Sequence, residues 1–190
     1  MQTSFVKIIL DLCGGTGSWS QPYKENGYNV RIITMPEMDV RWFKKPDYDV
    51  YGVLAAPPCD HFSVSGAQYW PGKDKDGRTL EAISVMDACM RIIMVCNPVF
   101  WAFENPVGRM RSFLGDPKLI FDPCDYGDPY TKKTLLWGKF NAPKKNPVEP
   151  VRSCSQGSWL QKLGGKSEKT KTLRSMTPPG FAKAFYEVNQ

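Results

Sequence analysis

Short hydrophobic runs alternate along the chain with segments in which hydrophobic residues recur at helical spacing. The runs predict strands at residues 5–10, 28–35, 50–56, 100–103 and 135–137. The other segments predict a helix at residues 18–26, which Gly27 would end, and a longer helix at residues 78–96. The apolar positions of the longer helix are Leu80, Ile83, Met86, Met90, Ile93 and Met94. This alternation predicts an α/β fold with a mostly parallel sheet and helices on both faces.

Three chemically distinctive segments each follow directly after a predicted strand. The glycine-rich segment 14–17 (GGTG) follows the first strand, residues 57–59 (PPC) follow the third, and Glu104 follows the fourth. The carboxyl ends of parallel strands lie along one edge of a sheet. We therefore expect the glycine loop, Cys59 and Glu104 to converge on one cleft.

The glycine loop indicates a ligand that approaches the backbone closely. Its spacing differs from the GxGxxG pattern of dinucleotide-binding proteins, and it lacks the Lys-Ser/Thr ending of a P-loop. A nucleotide-like ligand without a pyrophosphate fits this loop better.

Cys59 follows two prolines, which restrict the backbone and predict a stiff, extended corner. A thiol held at a strand end is suited to nucleophilic chemistry, whereas free cysteines in general are among the most frequently buried residues. His61 lies two residues from Cys59, but on a loop the two side chains need not face each other. We interpret His61 as an incidental or substrate-near residue.

The composition is that of a single globular domain of 190 residues, 42% of them hydrophobic. The chain contains no apolar stretch long enough to span a membrane and no signal-peptide pattern at its start. Six scattered cysteines without a CxxC pair, together with one histidine, do not provide the ligand pattern of a zinc site. These features predict a reduced, cytoplasmic protein without a metal site.

The net charge of +6 is concentrated towards the end of the chain, where eleven basic residues between positions 130 and 175 face two acidic ones. Such a stretch is consistent with a surface that contacts phosphates. It is equally consistent with a solvated loop that only aids solubility.

Five segments, in the same order, resemble motifs of the cytosine-5 DNA methyltransferases. Residues 11–20 (DLCGGTGSWS) resemble the family's cofactor motif, and residues 57–59, followed by Phe62, Ser63 and Gly66, are similar to its catalytic loop. Residues 103–106 (FENP) are similar to its glutamate-asparagine-valine motif. Residues 126–132 resemble the later motif that meets the target nucleotide, and residues 174–179 the final motif of the cofactor pocket. The chain looks like a small phage-encoded member of this family.

The resemblance implies a Rossmann-like fold that binds S-adenosylmethionine and methylates carbon 5 of cytosine in duplex or single-stranded DNA. It implies Cys59 as the nucleophile and Glu104 as the proton donor to the ring. The cofactor-binding residues that it implies are Asp11, Gly15, Gly17, Trp19, Asp39 and Pro57. The implied contacts to substrate or nucleic acid are Ser63, Asn105, Tyr130, Lys132 and Lys133. From the residues alone, Glu104 could instead cap the following turn, and Trp19 could belong to the core.

The sequence departs from the family pattern at several positions. Asp60 replaces the usual glutamine after the cysteine, and Tyr130, Lys132 and Thr134 stand where the family has a glutamine and two arginines. We expect one methyltransferase domain over residues 1–190, in which the short basic segment 139–173 takes the place of a target-recognition domain. A protein of this kind would act in the cytoplasm of a bacterial host, and a partner protein could supply its specificity. The alternatives are a cytosine methyltransferase for RNA or free nucleotide, and a non-catalytic nucleic-acid-binding decoy.

Overall fold

The computed structural model describes residues 6–151, 159–163 and 167–190. A six-stranded sheet forms its centre, with the order β2-β1-β3-β4-β6-β5. The strands are β1 (Ile8–Leu12), β2 (Asn29–Ile33), β3 (Gly52–Ala55), β4 (Phe100–Pro106), β5 (Leu119–Phe121) and β6 (Thr134–Lys139). Strands β1 to β4 pair in parallel, and β6 runs antiparallel to both of its neighbours, β4 and β5. The sheet is therefore mostly parallel, as the sequence predicts.

Helices lie between these strands along the chain and after the last of them. The α-helices are α1 (Gln21–Glu25), α2 (Trp70–Lys75), α3 (Arg78–Cys96), α4 (Arg111–Leu114), α5 (Glu168–Ser175) and α6 (Pro179–Val188). Short 3₁₀ helices cover Val40–Trp42, Val64–Tyr69, Pro123–Tyr126 and Trp159–Lys162. No described helix has the length and apolar character required to cross a membrane.

Helices cover both faces of the sheet because successive strand residues point to opposite sides. One hydrophobic cluster joins the α3 side chains Ala88, Cys89 and Ile92 to Leu10, Leu12, Val53, Ala55 and Phe103. The other joins Tyr23 of α1 and Phe181 and Phe185 of α6 to Ile9, Leu54, Ala102 and Leu136. By the same alternation, Asp11 and Glu104 point to the α1 and α6 face, and Asn105 points to the α3 face.

The element boundaries differ from the predicted ones where pairing extends a strand. Strand β1 continues through Asp11 and Leu12, and β4 continues through Glu104 to Pro106. The extension of β4 follows from its antiparallel pairing with β6, in which Glu104 lies opposite Leu136. The prediction that Glu104 follows a strand is therefore wrong, since Glu104 lies within one.

Helix α3 has the predicted bounds, and four of its six predicted apolar positions are buried or pack against the core. Leu80 and Met94 are 66% and 78% exposed, whereas Ala88, Cys89 and Ile92 are buried. Helical spacing identified the helix correctly and misassigned two of its six core positions.

Part of the predicted basic segment 139–173 lies outside the described residues, as does Cys154. The five described cysteines carry free thiols. Among the residues that the structure describes, no cluster of three His, Cys, Asp or Glu side chains could hold a metal ion.

Candidate active site

The glycine loop and the Cys59 turn directly follow two adjacent parallel strands, and Glu104 lies in the last part of the next parallel strand. In the pairing register, Leu12 of β1 lies beside Ala55 of β3, and Ala55 lies beside Phe103 of β4. The glycine loop follows β1, the Cys59 turn follows β3, and Glu104 is the residue after Phe103. The predicted convergence on one edge of the sheet is confirmed.

Asp11 is the most completely buried charged group at this edge, with 0% of its surface exposed. One carboxylate oxygen, Oδ2, accepts a hydrogen bond of 2.5 Å from the Ser20 hydroxyl. The other, Oδ1, has no partner within the described part of the chain. Burial raises the pKa of Asp11 to about 6, against the opposing effect of Ser20. The structure thus leaves a buried acceptor beside the glycine loop.

The glycines of the loop have separate reasons to be glycine. A Cβ on Gly14 would lie 2.3 Å from the carboxyl carbon of Asp11, so only glycine fits over this carboxylate. Gly17 has φ +71°, which favours glycine, whereas a Cβ there would meet only Cδ1 of the exposed Ile32 side chain, at 2.6 Å. Gly15, at φ +53°, has open space on its Cβ side. Of the predicted Gly15 and Gly17, only Gly15 borders open space.

Trp19 and Asp39 are occupied by contacts within the protein. The ring of Trp19 is 2% exposed and packs against Phe181 and Phe185, with centroid separations of 6.3 and 5.6 Å. Asp39 caps the 3₁₀ helix Val40–Trp42 and forms a 2.5 Å ion pair with Arg41. These contacts favour a structural role for both residues, and their assignment to the cofactor stays a prediction.

The Cys59 turn presents an exposed thiol on a buried base. Pro57 is buried, whereas Cys59 reaches solvent. The Cys59 carbonyl accepts hydrogen bonds from the amides of Phe62 and Ser63, at 2.9 and 2.8 Å, which closes a tight turn. Buried Asn105 donates from Nδ2 to the Pro57 carbonyl at 3.2 Å. Asn105 therefore contacts the backbone that precedes Cys59, and its predicted contact with the substrate stays a prediction.

The segment after β4 supports the same turn. The Val64 amide donates to the Val107 carbonyl, and the Arg109 amide donates to the Phe62 carbonyl, both at 2.9 Å. A Cβ on Gly108 would lie 1.9 Å from the Phe62 carbonyl oxygen, so this close approach requires glycine. The hydroxyl of Ser63, another predicted substrate contact, accepts from the Ser65 amide and caps the 3₁₀ helix Val64–Tyr69.

Cys59, Glu104 and Lys132 interact electrostatically. Although Cys59 is an exposed residue, the protein packed around its thiol and the negative charge of Glu104 raise the pKa of Cys59 to about 11, while the Lys132 ammonium acts in the opposite direction. Burial also raises the pKa of Glu104, again opposed by Lys132. The thiol and the carboxyl group therefore both have raised pKa values, and the nearby Lys132 ammonium favours the charged form of each.

Lys132 connects this group of side chains to the cofactor loop. Its Nζ donates to the Met176 carbonyl at 3.1 Å. The next amide, that of Thr177, donates to the Ser18 hydroxyl at 3.0 Å. The segment that the sequence assigns to the final motif thus contacts the glycine loop directly.

The other two predicted nucleic-acid contacts, Lys133 and Tyr130, contact other side chains of the protein. Lys133 is exposed, and its Nζ lies 3.9 Å from the Asp122 carboxylate. Tyr130 packs edge-on against Trp159 at 5.6 Å, and burial raises its pKa to about 12.

Sequence reasoning missed four residues that shape the site. Ser20 binds Asp11, Gly14 makes room for it, and Gly108 and Arg109 hold the Cys59 turn. The sequence does indicate Gly14, because it belongs to the glycine-rich segment 14–17. The contacts of Ser20, Gly108 and Arg109 depend on side-chain directions and chain crossings that no local pattern reveals.

Comparison with known proteins places the chain near methyltransferases. No family model matches it. The type II methyltransferase M.DdeI of Desulfomicrobium norvegicum is 27% identical over 139 residues, which make up 62% of this chain and 32% of that protein. The chain therefore spans about a third of the length of this relative.

Among solved structures, a prophage-encoded Escherichia coli protein assigned as a DNA modification methyltransferase matches with a TM-score of 0.50. It is 18% identical, over 75% of this chain and 53% of the other. DNMT2 of Spodoptera frugiperda is 17% identical with a TM-score of 0.44, over 85% of this chain and 60% of the other. The first of these likenesses, together with the strand order, confirms the predicted Rossmann-like methyltransferase fold.

Proposed function

We propose that the chain transfers a methyl group from S-adenosylmethionine to carbon 5 of cytosine in DNA, through a covalent bond between Cys59 and the cytosine ring. The observation that carries this proposal is the interaction of Cys59, Glu104 and Lys132 at the sheet edge that also bears the glycine loop. Sequence similarity to a type II methyltransferase supports it.

The residues beside the glycine loop fit S-adenosylmethionine. The unpartnered Oδ1 of Asp11 suits the ammonium group of the amino-acid part, and Gly15 leaves space next to the backbone. Gly17 and Pro57 would line the same edge. When bound, the cofactor supplies the methyl group as an electrophile. The chain's own residues bind it, position the ring and move protons.

Cys59 and Glu104 would activate the ring together. The Cys59 thiol gives its proton to solvent water, and the thiolate adds to carbon 6, which shifts ring electrons towards nitrogen 3 and makes carbon 5 nucleophilic. Protonated Glu104 donates its proton to ring nitrogen 3, which stabilises the charge that develops there. While Glu104 is protonated, it carries no negative charge and does not disfavour the Cys59 thiolate. Protonation of Glu104 therefore favours both the nucleophile and the activation of the ring.

Lys132 would favour the thiolate during this step and balance its charge. After methylation, the proton on ring nitrogen 3 returns to Glu104, and a base removes the proton from carbon 5. The electrons of that C–H bond form the ring double bond again, and the bond from carbon 6 to Cys59 breaks, which releases the thiolate. In duplex DNA, the target cytosine must first flip out of the stack of bases to reach Cys59.

Fluorine at carbon 5 tests the covalent step, because it blocks the final proton removal and traps the adduct. The unmodified protein, incubated with S-adenosylmethionine and 5-fluorocytosine-containing DNA, should gain the mass of the oligonucleotide by intact mass spectrometry. Cys59→Ser should abolish this adduct, because a hydroxyl is a far weaker nucleophile than a thiolate at neutral pH. Cys124→Ser, at a thiol outside the cleft, is the matched control and should retain it.

The substrate panel distinguishes the alternatives. Duplex DNA, single-stranded DNA, RNA and deoxycytidine monophosphate, each fluorinated at carbon 5, are tested in parallel. If only RNA or only the free nucleotide gave an adduct, that molecule would replace DNA as the proposed substrate. An adduct that persists in Cys59→Ser, or none with any substrate, would overturn the proposed mechanism.

A further inference from the structure

The backbone carbonyls of the Cys59 turn are bound by cationic side chains. Arg109 donates from Nε to the His61 carbonyl at 2.9 Å. Lys73 of α2 donates from Nζ to the preceding carbonyl, that of Asp60. The two carbonyls directly after Cys59 are therefore both held by cations from outside the turn.

The Arg109 guanidinium is anchored on its other side by α2 and the start of α3. Its Nη1 lies 2.8 and 2.9 Å from the two carboxylate oxygens of Asp74, and its Nη2 donates to the Thr79 hydroxyl at 2.7 Å. Thr79 itself donates to Asp74 at 2.6 Å. The guanidinium lies 4.8 Å from the centre of the Trp70 ring. Every nitrogen of the group thus has a partner, and its plane is fixed.

This arrangement requires arginine. A planar guanidinium donates in several fixed directions at once, whereas an ammonium is a single point charge on a flexible stem. Only the former can hold the His61 carbonyl, Asp74 and Thr79 together. The side chain is 14% exposed, so solvent competes little for these hydrogen bonds.

We infer that Arg109 is a positioning residue for Cys59: it couples the turn that presents the thiol to α2 and α3, and so fixes where the thiol lies. This inference rests on the proposed function, since it assigns Arg109 to the covalent step. Arg109 does not contact the reacting atoms. Its effect passes through the His61 carbonyl and the amides of Phe62 and Ser63, which close the turn on Cys59.

Hydrogen exchange and adduct formation test the inference separately. In Arg109→Ala, the amides of Phe62 and Ser63 should exchange faster and the adduct should form more slowly, each by about tenfold or more, because a hydrogen bond to a charged group is lost. Exchange in β1 and β3 and the affinity for S-adenosylmethionine should not change. Arg109→Lys, which keeps the charge but not the geometry, should recover only part of both effects.

Two further variants keep the inference falsifiable. Arg111→Ala removes an exposed arginine two residues away and is the matched control, expected to alter neither measurement. Asp74→Asn weakens the anchor at an exposed residue and should loosen the turn even if Arg109→Ala does not fold.

The possible failures are distinct. If the unmodified protein forms no adduct, the proposed function fails, and exchange still decides whether Arg109 orders the turn. Unchanged exchange at Phe62 and Ser63, or an equal loss of protection throughout β1 and β4, would overturn the positioning role.

Discussion

The glycine loop and the Cys59 turn lie at the ends of adjacent strands, yet they are held in different ways. The glycine loop is held mainly by near neighbours: Ser20 binds Asp11, and the Gly17 amide donates to the Gly14 carbonyl. The Cys59 turn is held by residues more than forty positions later, among them Asn105 and Arg109. A loop of the first kind carries its shape in its own sequence, whereas one of the second kind depends on the rest of the fold.

The largest expected difference between the two regions is in their tolerance of a methyl group on glycine. Gly108→Ala places a Cβ against the Phe62 carbonyl and should destabilise the protein by about 3 kcal/mol, because backbone must move. Gly15→Ala has open space and only an unfavourable positive φ, so it should cost about 1 kcal/mol. Urea unfolding of both variants measures the difference. Equal costs would show that the Cys59 turn yields as easily as the glycine loop.

The buried Asp11 should destabilise the fold at neutral pH. Because its folded-state pKa is raised to about 6, the folded state is favoured by protonation, and stability falls as the pH rises towards that value. Asp11→Asn should therefore increase the free energy of unfolding at pH 8 by about 2 kcal/mol, a gain that shrinks below pH 6. The same variant should lose affinity for S-adenosylmethionine in calorimetry, since its carboxylate is gone.

Asp39 is the matched control for this prediction, with the opposite sign. Hydrogen bonds from Arg41 hold its pKa below the usual value, so its ionised form stabilises the fold. Asp39→Asn should lower stability at pH 8, and the loss should disappear as acid protonates the native carboxylate. A gain in stability from Asp39→Asn, or none from Asp11→Asn, would contradict this assignment of the two carboxylates.

The smallest expected effect concerns the charges of Glu104 and Lys132, which change the reactivity of Cys59 in opposite directions. Glu104→Gln removes a negative charge, lowers the thiol pKa, and should accelerate alkylation of Cys59 by iodoacetamide at pH 8. Lys132→Met should slow it, in each case by about three- to tenfold, which corresponds to half to one pKa unit. Lys133→Met, at an exposed lysine bound to Asp122, should leave the rate unchanged. Glu104→Gln should nevertheless slow formation of the cytosine adduct, because the proton donor is lost.

Opposite signs for these two reactions would distinguish a proton donor from a purely structural carboxylate. If Glu104→Gln slowed both alkylation and adduct formation, the simplest cause would be a displaced Cys59 turn. In that case Glu104 would share the positioning role assigned to Arg109.

The sequence predicted correctly that the glycine loop and the Cys59 turn share one edge of the sheet, because chain order and hydrophobic period are local properties. Runs of buried residues predicted four of the parallel strands, and the parallel arrangement predicted that Cys59 and the glycine loop share an edge. It could not predict that β6 inserts antiparallel between β4 and β5, because pairing partners are chosen by tertiary contacts. That pairing places Glu104 inside a strand and on the α1 and α6 face.

Side-chain roles also divide into those that the sequence suggested and those that only the tertiary structure decided. The family resemblance implied Cys59 and Glu104 as the reactive groups, and the glycine run indicated a ligand site; both stay predictions. Only the tertiary structure showed that Trp19 packs in the core, that Asn105 binds the Pro57 carbonyl, and that Arg109 holds the Cys59 turn. The physical reason is that reactivity belongs to a functional group, whereas burial and hydrogen-bond partners depend on which distant segments the folded chain brings together.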